Sequence, residues 1–451
     1  MNVLFFQYDN FFIDVINNLK KDSKLKIDDF ADLVVEPSDI DRLKNNFLKK
    51  SKKFKNLNSW SQIDKFFQKN FIEFLDIYNE HCIMNPHVSK KWGNKIDYYQ
   101  QKNLFMYLSK IIHNKMRSNK YDLVIFGRYP HNGIDFILYK YCEFYKIKKI
   151  FFHQSHVPNK FVYSDTLENY GKLNLKLSKA KTINSNNNII SDKKPFWMNS
   201  FFFIKIRLQR LKKHSLKYIL QKILFSFIDL ISLENILIRY KVLKNNYLYN
   251  LNKKKFSKFV SHKSKYVLFL LHFQPEGTSS FFGKIFIDQL LAIEKLKKLI
   301  PKNWNIVVKE HPRQHFLLRD IFFFKRLNTI ENAIYIEKGD TKELIKNCQF
   351  VSTITGTGSI EAIHQNKKVL LFGRAWFSEC PGVFNYNQSF NFKKFINYKI
   401  NKFNIKKFEN KFLQNSFNGV VAPEWHYNYK KFNLKKNAEI VAKSIKSIIF
   451  K

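Results

Sequence analysis

The residues of this chain best suited to chemistry lie in a turn rich in hydroxyl groups and glycine, within VSTITGTGSIEAIHQNKKVLLFG (351–373). Apolar runs on both sides predict a strand, the turn, a helix and a second strand, typical of a nucleotide-binding α/β unit. Backbone N–H groups at a helix N-terminus attract phosphate, and glycine lets an anion approach the main chain. We therefore expect this turn to hold the phosphate of a nucleotide. Its candidate residues are Ser352, Thr353, Thr355, Gly356, Thr357, Gly358 and Ser359.

Two further polar segments follow predicted strands. NIVVKEHP (305–312) ends in Lys309, His311 and Pro312, and YVLFLLHFQPEGTSS (266–280) carries His272, Gln274 and Glu276 in its loop. Ligands of open parallel sheets bind at the carboxyl ends of the strands, so these side chains are expected at one rim. His311 alone could simply end a loop, Lys309 could be one of many surface lysines, and a turn around Pro275 and Gly277 could account for its neighbours.

Two positions downstream are further candidates. Glu361, one turn into the predicted helix, could accept hydrogen bonds from ribose hydroxyls, or could lie there because carboxylates are favourable at helix N-termini. Arg374 and Trp376 follow the strand that ends at Gly373 and are expected to line a cleft between two domains.

The segments LHFQPEGTS, VVKEHP and TITGTGSIEAI…KKVLLFG resemble the capsule polysaccharide biosynthesis proteins, a family that includes β-Kdo transferases with an HP motif. The resemblance covers roughly residues 265–383, and a weaker resemblance covers residues 124–158. It implies an α/β fold of the GT-B kind, with two Rossmann-like doubly wound domains facing a cleft and a helical insertion between them. It also implies that His311, the hydroxyl-rich turn and the loop after residue 270 belong to a donor site.

The resemblance further implies transfer of a sugar, often an ulosonic acid such as Kdo, from a CMP-activated donor to a surface glycan. The expected partners are thus a nucleotide-sugar donor and a glycan or glycolipid acceptor, with no other cofactor. Two alternatives stay open: a CDP-glycerol-type polyol-phosphate transferase, which attacks phosphorus, and a non-catalytic scaffold for glycan assembly.

Inverting sugar transfer requires a base that deprotonates the acceptor hydroxyl. In GT-B proteins the base usually comes from the first domain, where Asp135 and neighbouring His131 are the first candidates, followed by Glu168 and Asp165. An Asp at a helix start is also a common cap, so the choice stays open. The D-x-D of Asp39 and Asp41 lies in a charged stretch with no apolar strand before it, and we expect no metal site.

The chain has 451 residues and a formal net charge of +43. This length predicts two domains. The charge favours an anionic partner, although a composition biased toward Lys, Asn, Ile and Phe also explains it. The lysines are spread along the whole sequence and no zinc-finger or RNP-like motif is present, which argues against nucleic-acid binding. Its four cysteines form no CxxC and are expected to be reduced and buried, as in a cytoplasmic protein.

The predicted organisation is an acceptor-side α/β domain (1–194), a basic helical insertion (195–263), a nucleotide-sugar-binding α/β domain (264–430) and a C-terminal helix (431–451). Residues 20–56 are expected to be irregular, and strands are expected at 123–126 and 149–152. The basic amphipathic segment 201–217 could lie on an anionic membrane surface at the inner face of the plasma membrane, or pack against the domains. No uncharged apolar run of about 18 residues occurs, so no membrane-spanning helix is expected.

Overall fold

The computed structural model contains two parallel-sheet domains, which confirms the predicted α/β fold class. It describes residues 1–6, 12–29, 65–66, 68–72, 98–130, 133–155, 157–172, 233–259, 264–274, 277–316, 318–422 and 432–450. Each domain is built around a sheet of six strands. Among these described residues, no helix is long and apolar enough to cross a membrane.

The first sheet has the strand order β12-β5-β4-β3-β1-β2. Its strands are β1 (Asn2–Phe6), β2 (Lys26–Asp29), β3 (Leu123–Phe126), β4 (Lys148–Gln154), β5 (Lys160–Ser164) and β12 (Phe417–Asn418). Four neighbouring strands are parallel, whereas β5 and β12 are antiparallel additions. Strands β1 and β3 are almost wholly apolar because helices cover both faces of such a sheet. These helices include α1 (Ile13–Lys20), α2 (Tyr98–Asn119) and α3 (Gly133–Phe144).

The helical insertion is described only in its last part. There, α4 (Leu233–Phe256) leads into the second domain. Its Tyr249 and Phe256 contact Phe324 of that domain, the latter as stacked rings 5.4 Å apart. The segment 201–217, with its predicted membrane contact, lies outside the described residues, as does the D-x-D.

The second sheet is entirely parallel and has the order β11-β10-β9-β6-β7-β8. Its strands are β6 (Tyr266–Leu270), β7 (Asn305–Lys309), β8 (Ala333–Ile336), β9 (Val351–Thr353), β10 (Val369–Leu371) and β11 (Val383–Asn385). The helices are α5 (Gly277–Phe282), α6 (Gln289–Leu299), α7 (Ile321–Thr329), α8 (Thr341–Asn347), α9 (Gly358–His364), α10 (Phe392–Asn397) and α11 (Lys402–Asn415). Parallel neighbouring strands need a long crossover connection, and in most of these connections the crossover is a helix.

The chain returns to the first domain at its C-terminal end. β12 pairs with β5, the N–H of Gly419 donates to Asn159, and α12 (Leu434–Ile449) packs against α1. The apolar face of α12 thereby joins the core of the first sheet. This return begins at Phe417, ahead of the boundary expected at residue 430.

Candidate functional site

The candidate site lies where the strand order of the second sheet reverses. From β6 the chain proceeds to β7 and β8 on one side, and β9 is added on the other side of β6. Such a reversal leaves a crevice at the carboxyl ends of the two central strands, and this crevice is the usual ligand site of open α/β sheets. The loop after β6 and the turn after β9 both begin there.

His272 joins that loop to the glycine-rich turn. Its side chain is buried, and its Nε2 accepts the backbone N–H of Thr355 at 2.9 Å. A Cβ atom on Gly356 would lie 2.8 Å from Oγ1 of Thr353 and 3.3 Å from Nε2 of His272. Only glycine therefore fits at position 356 without moving a neighbour. The predicted meeting of the two segments is present in the structure.

The hydroxyl groups of the turn fall into two sets. Ser352 donates to the carbonyl of Leu370 at 3.0 Å, and Thr353 donates to the carbonyl of Leu270 at 2.8 Å. Both hydroxyls therefore link neighbouring strands, and neither proton is directed at a phosphate. Of the remaining three, Thr355 and Ser359 are buried and Thr357 is exposed.

The main chain of the turn offers further donors. Ser359 and Ile360 donate their N–H groups back to the carbonyls of Gly356 and Thr357. Within the part of the chain that the structure describes, the N–H groups of residues 356–358 have no hydrogen-bond acceptor. Three adjacent amides and the exposed Thr357 hydroxyl are what this turn can offer an anion. Glu361 lies half-buried in α9, the helix that follows.

The HP segment lies on the other side of the same loop. Lys309 and Glu310 are buried, His311 is partly exposed and Pro312 is exposed. The N–H of His311 donates to the Glu310 carboxylate at 3.0 Å. The ring of Phe273 lies 5.8 Å from that of His311, centroid to centroid. Since Phe273 adjoins His272, one loop contacts both the HP segment and the glycine-rich turn.

A buried arginine beneath the site holds these loops together. Arg319 is 1% exposed, and its guanidinium donates to the Glu310 carboxylate at 3.2 Å and to Gln274 Oε1 at 3.1 Å. It also donates to the carbonyl of His272 at 3.3 Å. The hydroxyl of Tyr335 donates to Glu310 at 3.2 Å, and burial together with the Glu310 charge raises the tyrosine pKa.

Gln314 connects the same loops through further hydrogen bonds. Its side-chain amide accepts from the backbone N–H of Gln274 at 2.7 Å and donates to the backbone carbonyl of Gln274 at 2.9 Å. The side chain of Gln274 in turn donates to Ile287 at 2.7 Å. Gln274, expected to face the donor, is thus buried and engaged with protein groups.

The two domains contact each other beside this site. The Tyr170 ring stacks on Phe282 at 3.9 Å with an interplanar angle of 12°. Arg374 donates to the backbone carbonyls of Glu168 and Tyr170. Gly171 has a φ of +78°, and a Cβ there would lie 2.1 Å from the carbonyl oxygen of Ala375. Arg374 therefore lies at the domain junction, where its guanidinium contacts the main chain of the first domain. Trp376 is buried beside it.

The candidates for the base differ in accessibility. Asp135 is 1% exposed, and its carboxylate accepts the N–H of Phe136 at 2.8 Å. Glu168 and Asp165 are exposed, and Asp165 accepts from the Asn169 amide at 2.9 Å. His131 and Glu276 lie outside the described residues. Across the described ranges, no group of three His, Cys, Asp or Glu residues is arranged to hold a metal ion.

Sequence reasoning missed Arg319, Gln314, Phe273 and Tyr170. Arg319 follows the HP motif closely, but among 79 Lys and Arg residues nothing marked it as buried. Tyr170 stands next to Gly171, and an aromatic beside a glycine in a polar loop was the one available signal.

Comparison with solved structures gives several weak likenesses. KpsC from Thermosulfurimonas dismutans, described as a beta Kdo 2,7 transferase, shares 9% identity over 94% of each chain, with a TM-score of 0.35. The UDP-GlcNAc 2-epimerase from Neisseria meningitidis shares 12% identity over 100% of each chain, with a TM-score of 0.25. The glycosyltransferase SnogD from Streptomyces nogalater shares 9% identity over 99% of each chain, with a TM-score of 0.21. At such TM-scores these likenesses carry no argument about activity.

Comparison with curated protein sequences gives no match. The family model for capsule polysaccharide biosynthesis proteins matches residues 240–402. That range contains β6 to β11, the HP segment and the glycine-rich turn. The resemblance first seen in those motifs is therefore confirmed: over residues 240–402 this chain is similar to the capsule polysaccharide biosynthesis protein family.

Proposed function

We propose that this chain is a glycosyltransferase of surface polysaccharide biosynthesis. It transfers Kdo or a related ulosonic acid from a CMP-activated donor to a glycan or glycolipid acceptor, by inverting displacement. The supporting observation is the hydrogen bond from the Thr355 N–H to Nε2 of His272, because it joins two motif-bearing loops at the reversal point of the sheet. The family match over residues 240–402 supports the same assignment.

The donor half of the reaction needs groups that accept the charge of the leaving CMP. Three main-chain amides at 356–358 lie in the turn, and His311 lies across the same loop. Preorganised N–H donors stabilise a developing anion without reorganising during the reaction. We assign the CMP phosphate to this turn, with His311 as its second contact and Lys309 as a nearby cation. No metal takes part in this scheme.

The acceptor half needs a base that a sugar hydroxyl can reach. Glu168 is exposed, and its own backbone carbonyl accepts from Arg374 at the domain junction. Asp135 is buried and already accepts a backbone N–H. A base must be within hydrogen-bond reach of its proton, so accessibility favours Glu168, with Asp135 and His131 as the other candidates.

The donor assignment is tested by thermal shift with CMP, CDP, UDP, GDP and dTDP, followed by CMP release from CMP-Kdo with a glycan acceptor. A ligand that binds only the folded state raises its stability by RT ln(1 + [L]/Kd), so CMP should give the largest shift. His311→Ala should abolish both the shift and the release. His364→Ala serves as the control, because His364 instead pairs with Glu409.

Each outcome separates the rival functions. Binding of cytidine nucleotides without turnover of CMP-Kdo, but with transfer from CDP-glycerol, identifies the polyol-phosphate transferase. Nucleotide binding without any turnover supports the scaffold. No shift with any cytidine nucleotide overturns the donor assignment.

The base assignment is tested by Glu168→Gln, with Asp165→Asn as a matched neighbour. Loss of a general base typically lowers kcat about 10²–10⁴-fold. We expect this loss for Glu168→Gln and not for Asp165→Asn. Full activity of Glu168→Gln would exclude Glu168, and a loss in Asp165→Asn alone would assign the base to Asp165. If both variants stay fully active, Asp135 and His131 remain for the same test.

A further inference from the structure

Helix α4 carries large apolar side chains that no described residue covers. Tyr240, Leu243, Tyr247, Leu248 and Leu251 have exposures of 61%, 69%, 64%, 44% and 46%. They recur at intervals of three and four residues, which places them on one side of the helix. We call this side, with the lysines described below, the outward face of α4. Contiguous exposed apolar side chains of this kind mark interaction surfaces.

The opposite side of α4 is the one that packs on the protein. Tyr249 is 4% exposed, and the ring of Phe256 stacks on Phe324. Lys253 pairs with Glu337 at 2.9 Å. At about 100° per residue, these positions lie roughly half a turn from Tyr240 and Leu251. Helix α4 is therefore packed against the second domain, and its outward face is directed away from that domain.

The charge of α4 indicates which kind of partner can cover its outward face. Residues 240–256 contain no Asp or Glu. Lys241, Lys244, Lys254 and Lys255 are all exposed. Three of these lysines, at positions 244, 254 and 255, project between or beside the apolar side chains at helical spacing. The matching partner must accept apolar groups and carry negative charge.

We propose that the outward face of α4 binds an anionic lipid bilayer. The helix lies parallel to the membrane, with its leucines and tyrosines at the boundary of headgroups and acyl chains and its lysines among the anionic headgroups. Tyrosine is suited to this boundary because its ring is apolar and its hydroxyl is polar. The activity attached to the second domain would then operate at a membrane surface.

A second copy of this chain fits the same face poorly. Two outward faces brought together would oppose three lysines with three lysines, and no acidic residue of 240–256 would relieve the repulsion. The whole chain also carries a formal charge of +43, which opposes self-association. Segment 201–217 of this chain also fits the outward face poorly, because it is rich in lysine and arginine and would repel the lysines of α4.

The charge requirement is tested with the full chain and vesicles of phosphatidylcholine, with and without phosphatidylglycerol. The variant K244Q/K254Q/K255Q should bind the anionic vesicles about 100-fold more weakly at low salt. K402Q/K406Q/K407Q on α11 is the matched control, because it removes three exposed lysines and changes the formal charge of +43 by the same amount. We expect the control to bind like the unchanged chain.

The apolar requirement is tested with L243S/Y247S/L251S. Its binding to the anionic vesicles should also fall about 100-fold, because three apolar side chains that would insert partly into the bilayer are lost. F403S/L434S/I440S is the control, because these exposed residues lie on α11 and α12. Circular dichroism and the thermal midpoint confirm that each variant is folded.

Four results would overturn the proposal. No binding of the unchanged chain to anionic vesicles would exclude a membrane surface. Equal losses in the two lysine variants would assign binding to overall charge. Loss only on neutralising Lys205, Arg207, Arg210 and Lys213 would move the contact to 201–217. A dimer that dissociates in L243S/Y247S/L251S, measured by light scattering, would assign the face to a second copy.

Discussion

The buried pair of Arg319 and Glu310 offers the most direct test of how the candidate site is held. Replacing Arg319 by Met removes a guanidinium that is 1% exposed and leaves the Glu310 carboxylate, 3% exposed, with the hydroxyl of Tyr335 and the N–H of His311. Removing one partner of a buried ion pair typically costs about 3–5 kcal/mol, because the other charge stays buried without compensation. We expect R319M to lower the free energy of unfolding by this amount.

The measurement is urea unfolding followed by circular dichroism. With a slope of about 2 kcal/mol per molar urea, a loss of about 4 kcal/mol moves the midpoint down by about 2 M. The double variant E310Q/R319M should lose less than the sum of its two single variants. We expect a coupling energy of about 2 kcal/mol, within the usual range for residues that share one network.

Arg326 provides the matched control. It pairs with Asp288 and Glu294, but its side chain is 41% exposed. Solvent-exposed ion pairs contribute about 0–1 kcal/mol, so R326M should move the midpoint by less than about 0.5 M. Similar losses in R319M and R326M, or strict additivity of E310Q and R319M, would refute the argument that a buried pair fixes the HP segment.

Three further predictions follow from burial and close contact. Gly171→Ala should cost about 1–3 kcal/mol and weaken the domain junction, since its Cβ would meet the Ala375 carbonyl at 2.1 Å and its φ is +78°; a thermal midpoint equal to that of the unchanged chain would contradict this. The variant Cys82→Ser keeps three cysteines, Cys142, Cys348 and Cys380, and burial raises the pKa of each thiol to about 12. Because the thiolate is the reactive form, none of the three should react with a thiol reagent until the protein unfolds. Burial, and to a smaller extent the charge of Arg117, lowers the pKa of His113 in the folded protein. Below about pH 6.5 the unfolded chain therefore binds more protons than the folded chain, and the free energy of unfolding should decrease as the pH is lowered. His113→Gln should flatten this pH dependence of the midpoint, and an unchanged slope would contradict it.

Much of the fold could be predicted from hydrophobic patterning. The strands at 123–126 and 149–152 were expected within two residues of their observed bounds, because short apolar runs bounded by polar residues are a clear strand signal. β2 was missed, because KIDD carries only one apolar residue and lies in a charged stretch. β5 was missed as well, because an antiparallel edge strand is specified by its pairing with β4 and not by its own pattern.

Only those parts of the candidate site that lie within one short sequence segment could be predicted. Strand-end loops with His272, His311 and the glycine-rich turn were recognised because parallel strands place their carboxyl ends at one edge. The partners of individual side chains could not be inferred. Ser352 donates across the sheet to Leu370, and Arg319 reaches Gln274, 45 residues away in sequence. Such contacts depend on register and loop path, which no local pattern encodes.

The loop after β6 positions two segments of the candidate site relative to each other. His272 contacts the glycine-rich turn, and the adjacent Phe273 contacts His311, so two consecutive residues join the turn and the HP segment. The main chain of that loop is in turn held by Arg319 and Gln314. A buried ion pair is weak evidence for stability, since apolar residues of similar size often serve as well. Its value here is geometric, because charged hydrogen bonds fix carbonyls and carboxylates at defined distances. The proposed donor site requires N–H donors whose positions are fixed before a leaving anion develops, and this network of hydrogen bonds would supply that constraint where the strand order reverses.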